Sequence, residues 1–123
     1  MDLQTLKQYC NSKTAVSHVV QWGGSDVYKV GGKVFAVALL NKQGEFGVSF
    51  KTSELNYHFL ANKNHYRPAP YLASRGMKWI QQHNAPSELD EELLYYIDES
   101  YRLVSLGLTK KLQKALGLNA AAN

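Results

Sequence analysis

The first half of the chain is built from short segments in which apolar and polar side chains alternate. Phe46, Val48 and Phe50 alternate with Gly47 and Ser49, the period of two that is typical of a half-buried strand. The segment Lys33–Leu40 is apolar almost throughout, which predicts a strand at the centre of a sheet. The strands predicted in this half are Ser17–Trp22, a strand through Val27, Tyr28 and Val30, Lys33–Leu40, and Glu45–Lys51.

Glycine-rich turns separate these strands. Gly31-Gly32 forms a two-residue hairpin turn, and Gly23–Asp26 and Asn41–Gly44 are longer turns of the same kind. Short turns between consecutive strands predict two successive hairpins, that is, an antiparallel meander.

Two helices are predicted in the first half of the chain from apolar residues three and four apart. Asp2 caps a predicted helix over Leu3–Cys10, and Thr52 or Ser53 caps a second that extends to about Asn62. The apolar side of the second helix is expected to include Leu55, Phe59 and Leu60. The next stretch, Asn64–Tyr71, contains two prolines and is predicted to be irregular.

The second half continues with one strand and two helices. Met77–Gln82 is the predicted strand, Ser87 caps a long helix that Gly107 ends, and Thr109 starts a short helix through about Leu116. The apolar residues expected to be buried along the long helix are Leu89, Leu93, Leu94, Ile97, Tyr101 and Val104. The pattern therefore predicts one α+β domain over residues 1–118, an antiparallel meander backed by helices, with a frayed tail at 119–123.

Composition narrows the class of protein. The chain has 123 residues, of which 45% are hydrophobic and 20% charged, values typical of a globular domain. Its apolar runs are far shorter than the roughly 20 residues of a membrane span, and no secretory signal pattern follows Met1. The single cysteine, Cys10, has no partner for an internal disulfide, so we expect a cytoplasmic protein without a membrane partner.

The charges are distributed unevenly along the chain. Eight bases and two acids lie between Lys29 and Lys78, whereas six acids and one base lie between Glu88 and Arg102. The formal net charge is +4. This asymmetry predicts a basic face and an acidic face, and a basic face attracts polyanions.

Catalytic and metal-binding patterns are not found in the sequence. The four histidines are scattered, and none lies at metal-ligand spacing from another histidine, a cysteine or a carboxylate. The acids Glu88–Glu92 stand at the start of a predicted helix, where they complement the helix dipole. We therefore expect a protein that is not an enzyme and has neither a cofactor nor a metal.

Five segments carry a family resemblance: Val27–Ala36, Val48–Thr52, Arg67–Leu72, Trp79, and Ser100–Val104. In their order and spacing, from about Leu3 to Leu112, the chain resembles the MmcQ/YjbR family of small bacterial proteins. The resemblance implies a frataxin-like (CyaY-like) fold and the family's description as DNA-binding proteins with a double wing of two hairpins. The wings would be Asp26–Leu40 and Lys33–Lys51.

The candidate site follows from the charges on and beside these hairpins. The residues expected to contact phosphates of DNA, weakly and without sequence preference, are Lys29, Lys33, Lys51, Lys63 and Arg67. Packing requires no charge at Lys51 or Arg67, so these two could also form a pocket for a small anion. A protein-interaction module and a binder of a small anionic ligand are the alternatives to DNA binding.

Overall fold

The computed structural model describes residues 1–70 and 76–119. Its strands form a single six-stranded sheet in which every neighbouring pair is antiparallel. The strands are β1 (Val16–Gln21), β2 (Ser25–Val30), β3 (Lys33–Leu40), β4 (Phe46–Lys51), β5 (Tyr66–Pro68) and β6 (Trp79–His83). Their order across the sheet is β1-β2-β3-β4-β6-β5. The predicted α+β class is confirmed, and β3 lies inside the sheet as its apolar sequence indicated.

The β2–β3 turn shows why glycine is needed there. Gly31 and Gly32 have φ angles of +55° and +85°, the left-handed values that a tight hairpin turn requires at both central positions. Only glycine adopts these values without steric cost. The predicted two-residue turn is confirmed.

The proline-containing stretch Asn64–Tyr71 is not irregular throughout, as the sequence predicted. Tyr66–Pro68 forms β5, which pairs with β6 at the edge of the sheet. An edge strand makes ladder hydrogen bonds on one side only, so it tolerates Pro68, which has no N–H to donate. Tyr71 lies outside the described residues.

The described helices lie before, between and after the strands in chain order. They are α1 (Leu3–Asn11), α2 (Glu54–Leu60), α3 (Asp90–Leu106) and α4 (Lys110–Leu116). Asp2, Ser53 and Thr109 cap α1, α2 and α4 by accepting a hydrogen bond from a backbone N–H three residues later. Ser87 does not cap α3, contrary to the prediction, because Ser87–Leu89 forms a separate 3-10 turn before the helix begins at Asp90.

Two predicted apolar faces are corrected. Of the three residues predicted on the apolar side of α2, Leu60 is buried, whereas Leu55 and Phe59 are 80% and 61% exposed. Along α3, Leu93, Ile97 and Val104 are buried as predicted. Leu94 and Tyr101, and Leu89 in the preceding 3-10 turn, are only half-buried, and the buried stripe includes Tyr96 and Ser100 instead. Residues four apart, such as Leu55 and Phe59, lie on the same helix face, but that spacing alone does not show whether the face packs against the sheet or is exposed to solvent.

The core lies between the helices and one face of the sheet. From the sheet it includes Tyr28, Ala36, Val48, Phe50 and Ile80, and the helices contribute Leu6, Cys10, Leu60, Leu93 and Ile97. These strand residues are cross-strand neighbours or two apart along a strand, so they share one face. The alternate residues form the opposite face, which we call the far face.

The end of the described chain is anchored. The Asn119 side chain donates to Gln113 Oε1 at 2.9 Å, so the first residue of the predicted frayed tail is held in place. Residues 120–123 lie outside the described residues. No helix in the described ranges is both long and apolar enough to cross a membrane.

Candidate ligand-binding face of the sheet

One row of cross-strand neighbours runs over all six strands on the far face. Its members, from β1 to β5, are Val19, Val27, Val37, Ser49, Gln81 and Arg67. The first three are apolar, the next two carry hydrogen-bonding groups, and the last is a cation. The far face therefore changes from apolar to cationic along a single line across the sheet.

A groove of about 750 Å³ lies over part of this row. Val37, Ser49, Gln81 and Arg67 belong to its lining, and Leu39 extends the apolar end. Its volume falls within the roughly 300–1,000 Å³ that is usual for sites that bind small molecules. We call this cavity the valine–arginine groove.

The position of Arg67 is fixed by a neighbour. Its Nε donates to Gln81 Oε1 at 2.8 Å. The Gln81 side chain lies over Gly47, where an added Cβ would come within 2.7 Å of Gln81 Nε2. The missing side chain of Gly47 thus leaves the space in which Gln81 orients the guanidinium.

Two titratable groups accompany Arg67 in the lining. Hydrogen bonds from Asn41 and Asn84 lower the pKa of Glu45, so this carboxylate stays ionised at neutral pH. Burial, with a smaller contribution from Arg67, lowers the pKa of His83, so this imidazole is neutral at pH 7. Among the described lining residues, Arg67 is the one cation at neutral pH, and Glu45 is the one anion.

A second, smaller hollow contains two of the predicted lysines. Lys33 and Lys51 both line a cavity of about 350 Å³, together with Val34. Lys29 is the cross-strand partner of Val34, which brings its Cβ to roughly 5 Å from that residue. No acid belongs to the described lining. We call Lys29, Lys33 and Lys51 the lysine cluster.

Two tryptophans line the same hollow in different ways. Trp22, in the β1–β2 turn, is 60% exposed, whereas Trp79 is 4% exposed. Trp22 also belongs to the lining of the valine–arginine groove. Trp22 was predicted as the last residue of a strand, with no binding role, because a tryptophan at that position is as easily core as surface.

Lys63 lies away from the other candidates. Its Nζ is 3.3 Å from Glu92 Oε1 on α3, and it stands over the rings of Phe59 and Tyr66 at 5.2 and 5.8 Å. Tyr66 belongs to the core side of the sheet. Lys63 is therefore part of the helix layer and is partly neutralised there.

The predicted anion pocket of Lys51 and Arg67 is not assembled. Lys51 pairs with Trp79 and Arg67 pairs with Gln81, on opposite sides of β6, so their Cα atoms are roughly 12 Å apart. Each lines a different cavity. Sequence could not separate them, because strand order is set by tertiary pairing.

Most acids of α3 pair with cations or hydrogen-bond donors in the helix layer. Asp90 accepts from the N-terminal ammonium at 2.8 Å, Asp98 from Lys13 at 2.5 Å and from Tyr9, and Glu99 from Arg102. The uneven charge along the chain thus becomes a difference between the two layers, with the lysine cluster and Arg67 on or beside the far face.

Groups for nucleophilic or metal chemistry are sparse. Cys10 is fully buried, and burial raises its pKa from 9.0 to about 12, so it is a thiol at neutral pH. Within residues 1–70 and 76–119, no group of three histidine, cysteine or carboxylate side chains is arranged to hold a metal ion.

The comparison with family models agrees with the sequence resemblance. The family model described as YjbR matches residues 11–103, which is 93 of the 123 residues. The match covers all six strands and α3 as far as Leu103. The search of curated proteins gave no significant match.

Proposed function

This chain belongs to the YjbR family, and we propose that it binds DNA weakly and without sequence preference through the lysine cluster. The observation that carries the proposal is that Lys33 and Lys51 line one hollow with the exposed Trp22, while no described lining residue is acidic. Lysines contact phosphates irrespective of the base sequence. An exposed tryptophan offers a surface on which bases can stack.

The proposal reduces the number of phosphate contacts expected from the sequence. Lys63 is paired with Glu92, and Arg67 lies in the other cavity. Three contacts remain, so log Kobs should fall with log[salt] with a slope of roughly −3 for duplex DNA. Affinity at physiological salt should be micromolar or weaker, on the order of other nonspecific interactions.

The proposed activity is binding alone. Its support is that Cys10, the single thiol of the chain, is buried and protonated, and that the lysine hollow contains no described histidine or carboxylate to act as a base. A hairpin pair that presents lysines resembles the double wing expected from the family.

A salt titration with matched variants tests the proposal. Fluorescence polarisation of labelled duplex and single-stranded oligonucleotides gives Kd between about 50 and 200 mM salt. Lys33→Ala/Lys51→Ala should weaken binding and flatten the slope by about two. Lys110→Ala/Lys111→Ala removes the same net charge from α4, where both lysines are exposed, and should change the slope little.

Two outcomes would overturn the proposal. One is no binding by the wild-type chain at the lowest salt. The other is an equal loss in both double variants, which would show that total charge, and not the lysine cluster, attracts DNA.

A further inference from the structure

We propose that the valine–arginine groove binds an amphipathic organic monocarboxylate, with its carboxylate on Arg67 and its apolar part over Val37 and Leu39. This second site contains none of the lysine cluster, although Trp22 lines both cavities, and the proposal does not depend on DNA binding. The argument rests on the order of side chains along the groove floor, on the support of Arg67, and on the charge of the lining.

The groove floor runs from an apolar end to a cationic end, and this order matches a ligand with an apolar part and one charged end. Val37, Ser49, Gln81 and Arg67 are successive cross-strand neighbours, so three strand spacings, or roughly 14 Å, separate the first from the last. The middle two offer hydrogen-bonding groups and the ends offer an apolar surface and a cation. An elongated ligand with one charged end matches this sequence of groups.

The cation is already oriented for a carboxylate. A guanidinium has five N–H donors in a planar fork and can give two of them to one carboxylate. In this groove the Nε of Arg67 is held by Gln81, and Gln81 lies in the space that Gly47 provides. Such support reduces the conformational freedom that Arg67 would lose when a ligand binds.

The charge balance favours a monoanion over a dianion. Arg67 supplies one positive charge, His83 is neutral at pH 7 because its pKa is lowered, and Glu45 stays ionised. A phosphate monoester, with nearly two negative charges at neutral pH, would face Glu45 with a single cation to balance it. A carboxylate faces Glu45 as well, but it carries a single negative charge and is therefore repelled less.

Calorimetric titration of the full chain with decanoate, below the concentration at which decanoate forms micelles, tests the proposal. Decanoate should bind more tightly than decyl phosphate, and decanol should bind at least about tenfold more weakly, because it leaves the charge-assisted hydrogen bonds unmade. Arg67→Gln should weaken decanoate binding by about ten- to a hundredfold for the same reason. Arg102→Gln is the matched control, since this arginine is exposed on α3 and pairs with Glu99, and it should leave the affinity unchanged.

A second pair of variants tests the support of Arg67 and the independence of the two sites. Gly47→Ala should displace Gln81 and weaken decanoate binding by a smaller factor than Arg67→Gln, with the circular dichroism of the fold retained. Lys33→Ala/Lys51→Ala should leave decanoate binding unchanged. The proposal is overturned if decanol or decyl phosphate binds as tightly as decanoate, if Arg67→Gln has no effect, or if wild-type protein does not bind decanoate.

Discussion

Ser100→Ala removes a side chain that joins α3 to the sheet next to the lysine cluster. Ser100 Oγ accepts a hydrogen bond from the N–H of Lys51 at 2.8 Å and donates one to the carbonyl oxygen of Phe35 at 2.6 Å. Ser100 is completely buried. It lies where the β2–β3 register shifts and Phe35 has no direct partner on β2, so the serine hydroxyl satisfies backbone groups that the ladder leaves open.

The cost of this change can be worked from the two hydrogen bonds. Alanine would leave the part-buried N–H of Lys51 and the buried carbonyl of Phe35 without a partner. A fully buried group without a partner costs about 1–3 kcal/mol, and a part-buried group costs less. We therefore expect the free energy of unfolding to fall by about 2–5 kcal/mol, a large part of the 5–15 kcal/mol that is usual for a domain. For a chain of this length the melting temperature should fall by roughly 10 °C.

Urea denaturation followed by circular dichroism measures the effect, with Ser105→Ala as the control. Ser105 is also buried on α3, but its hydroxyl donates to the carbonyl of Arg102 within the same helix and accepts a longer bond, 3.3 Å, from Asn119 Nδ2. Neither bond satisfies a backbone group of the sheet, so the loss of this hydroxyl should cost only about 1 kcal/mol. Equal m-values would show that the unfolded states are comparable. A loss for Ser100→Ala no larger than that of the control would refute the reasoning.

Two further predictions concern pH and the β2–β3 turn. The pKa of Cys10 is about 12 in the folded chain and 9.0 when exposed, so the free energy of unfolding should fall as pH rises from 9 towards 12, with a slope that approaches about −1.4 kcal/mol per pH unit. In urea denaturation series at several pH values between 9 and 10, Cys10→Ala should make the free energy of unfolding depend less steeply on pH. An unchanged pH dependence would contradict the assignment. Gly31→Ala should destabilise the fold by about 1–3 kcal/mol, because its Cβ would come within 2.7 Å of Leu108 and 3.1 Å of Leu116. Gly32→Ala has no neighbour within 4 Å of the new Cβ, and thermal melts should show a smaller loss than for Gly31→Ala.

The local pattern of the sequence was sufficient to predict most strands. Lys33–Leu40 was placed correctly because its composition and its glycine turn agree, and the cap at Thr109 was recognisable from the residue type alone. The edge strand Tyr66–Pro68 was missed, because proline argues against a strand unless its position at an edge is known.

The candidate site was less predictable, for a physical reason. The row from Val19 to Arg67 joins residues far apart in the chain, and no periodicity within one segment reveals such a row. Gln81 and Gly47 acquire their roles only through the pairing of β4 with β6. The separation of Lys51 from Arg67 likewise depends on strand order, which the sequence left open.

The distribution of charge was predicted in outline and not in detail. The acidic segment lies in the helix layer, in line with the acidic face that was predicted. Lys63, although counted in the basic segment, contacts Glu92 and so lies in the helix layer too. A basic residue counted within a positive segment is thus not always a residue of the basic surface. Whether such a residue belongs to the basic surface depends on the residue from another element with which it pairs.

The most direct test of DNA binding by the lysine cluster is an amide chemical-shift titration of the ¹⁵N-labelled chain with a short oligonucleotide. We expect the largest changes at Lys29, Lys33 and Lys51 and at the indole N–H of Trp22, with little change along the acidic helix α3. The changes should diminish as salt is raised, since phosphate contacts release bound counterions. Changes centred on α4, or no changes at low salt, would contradict the account.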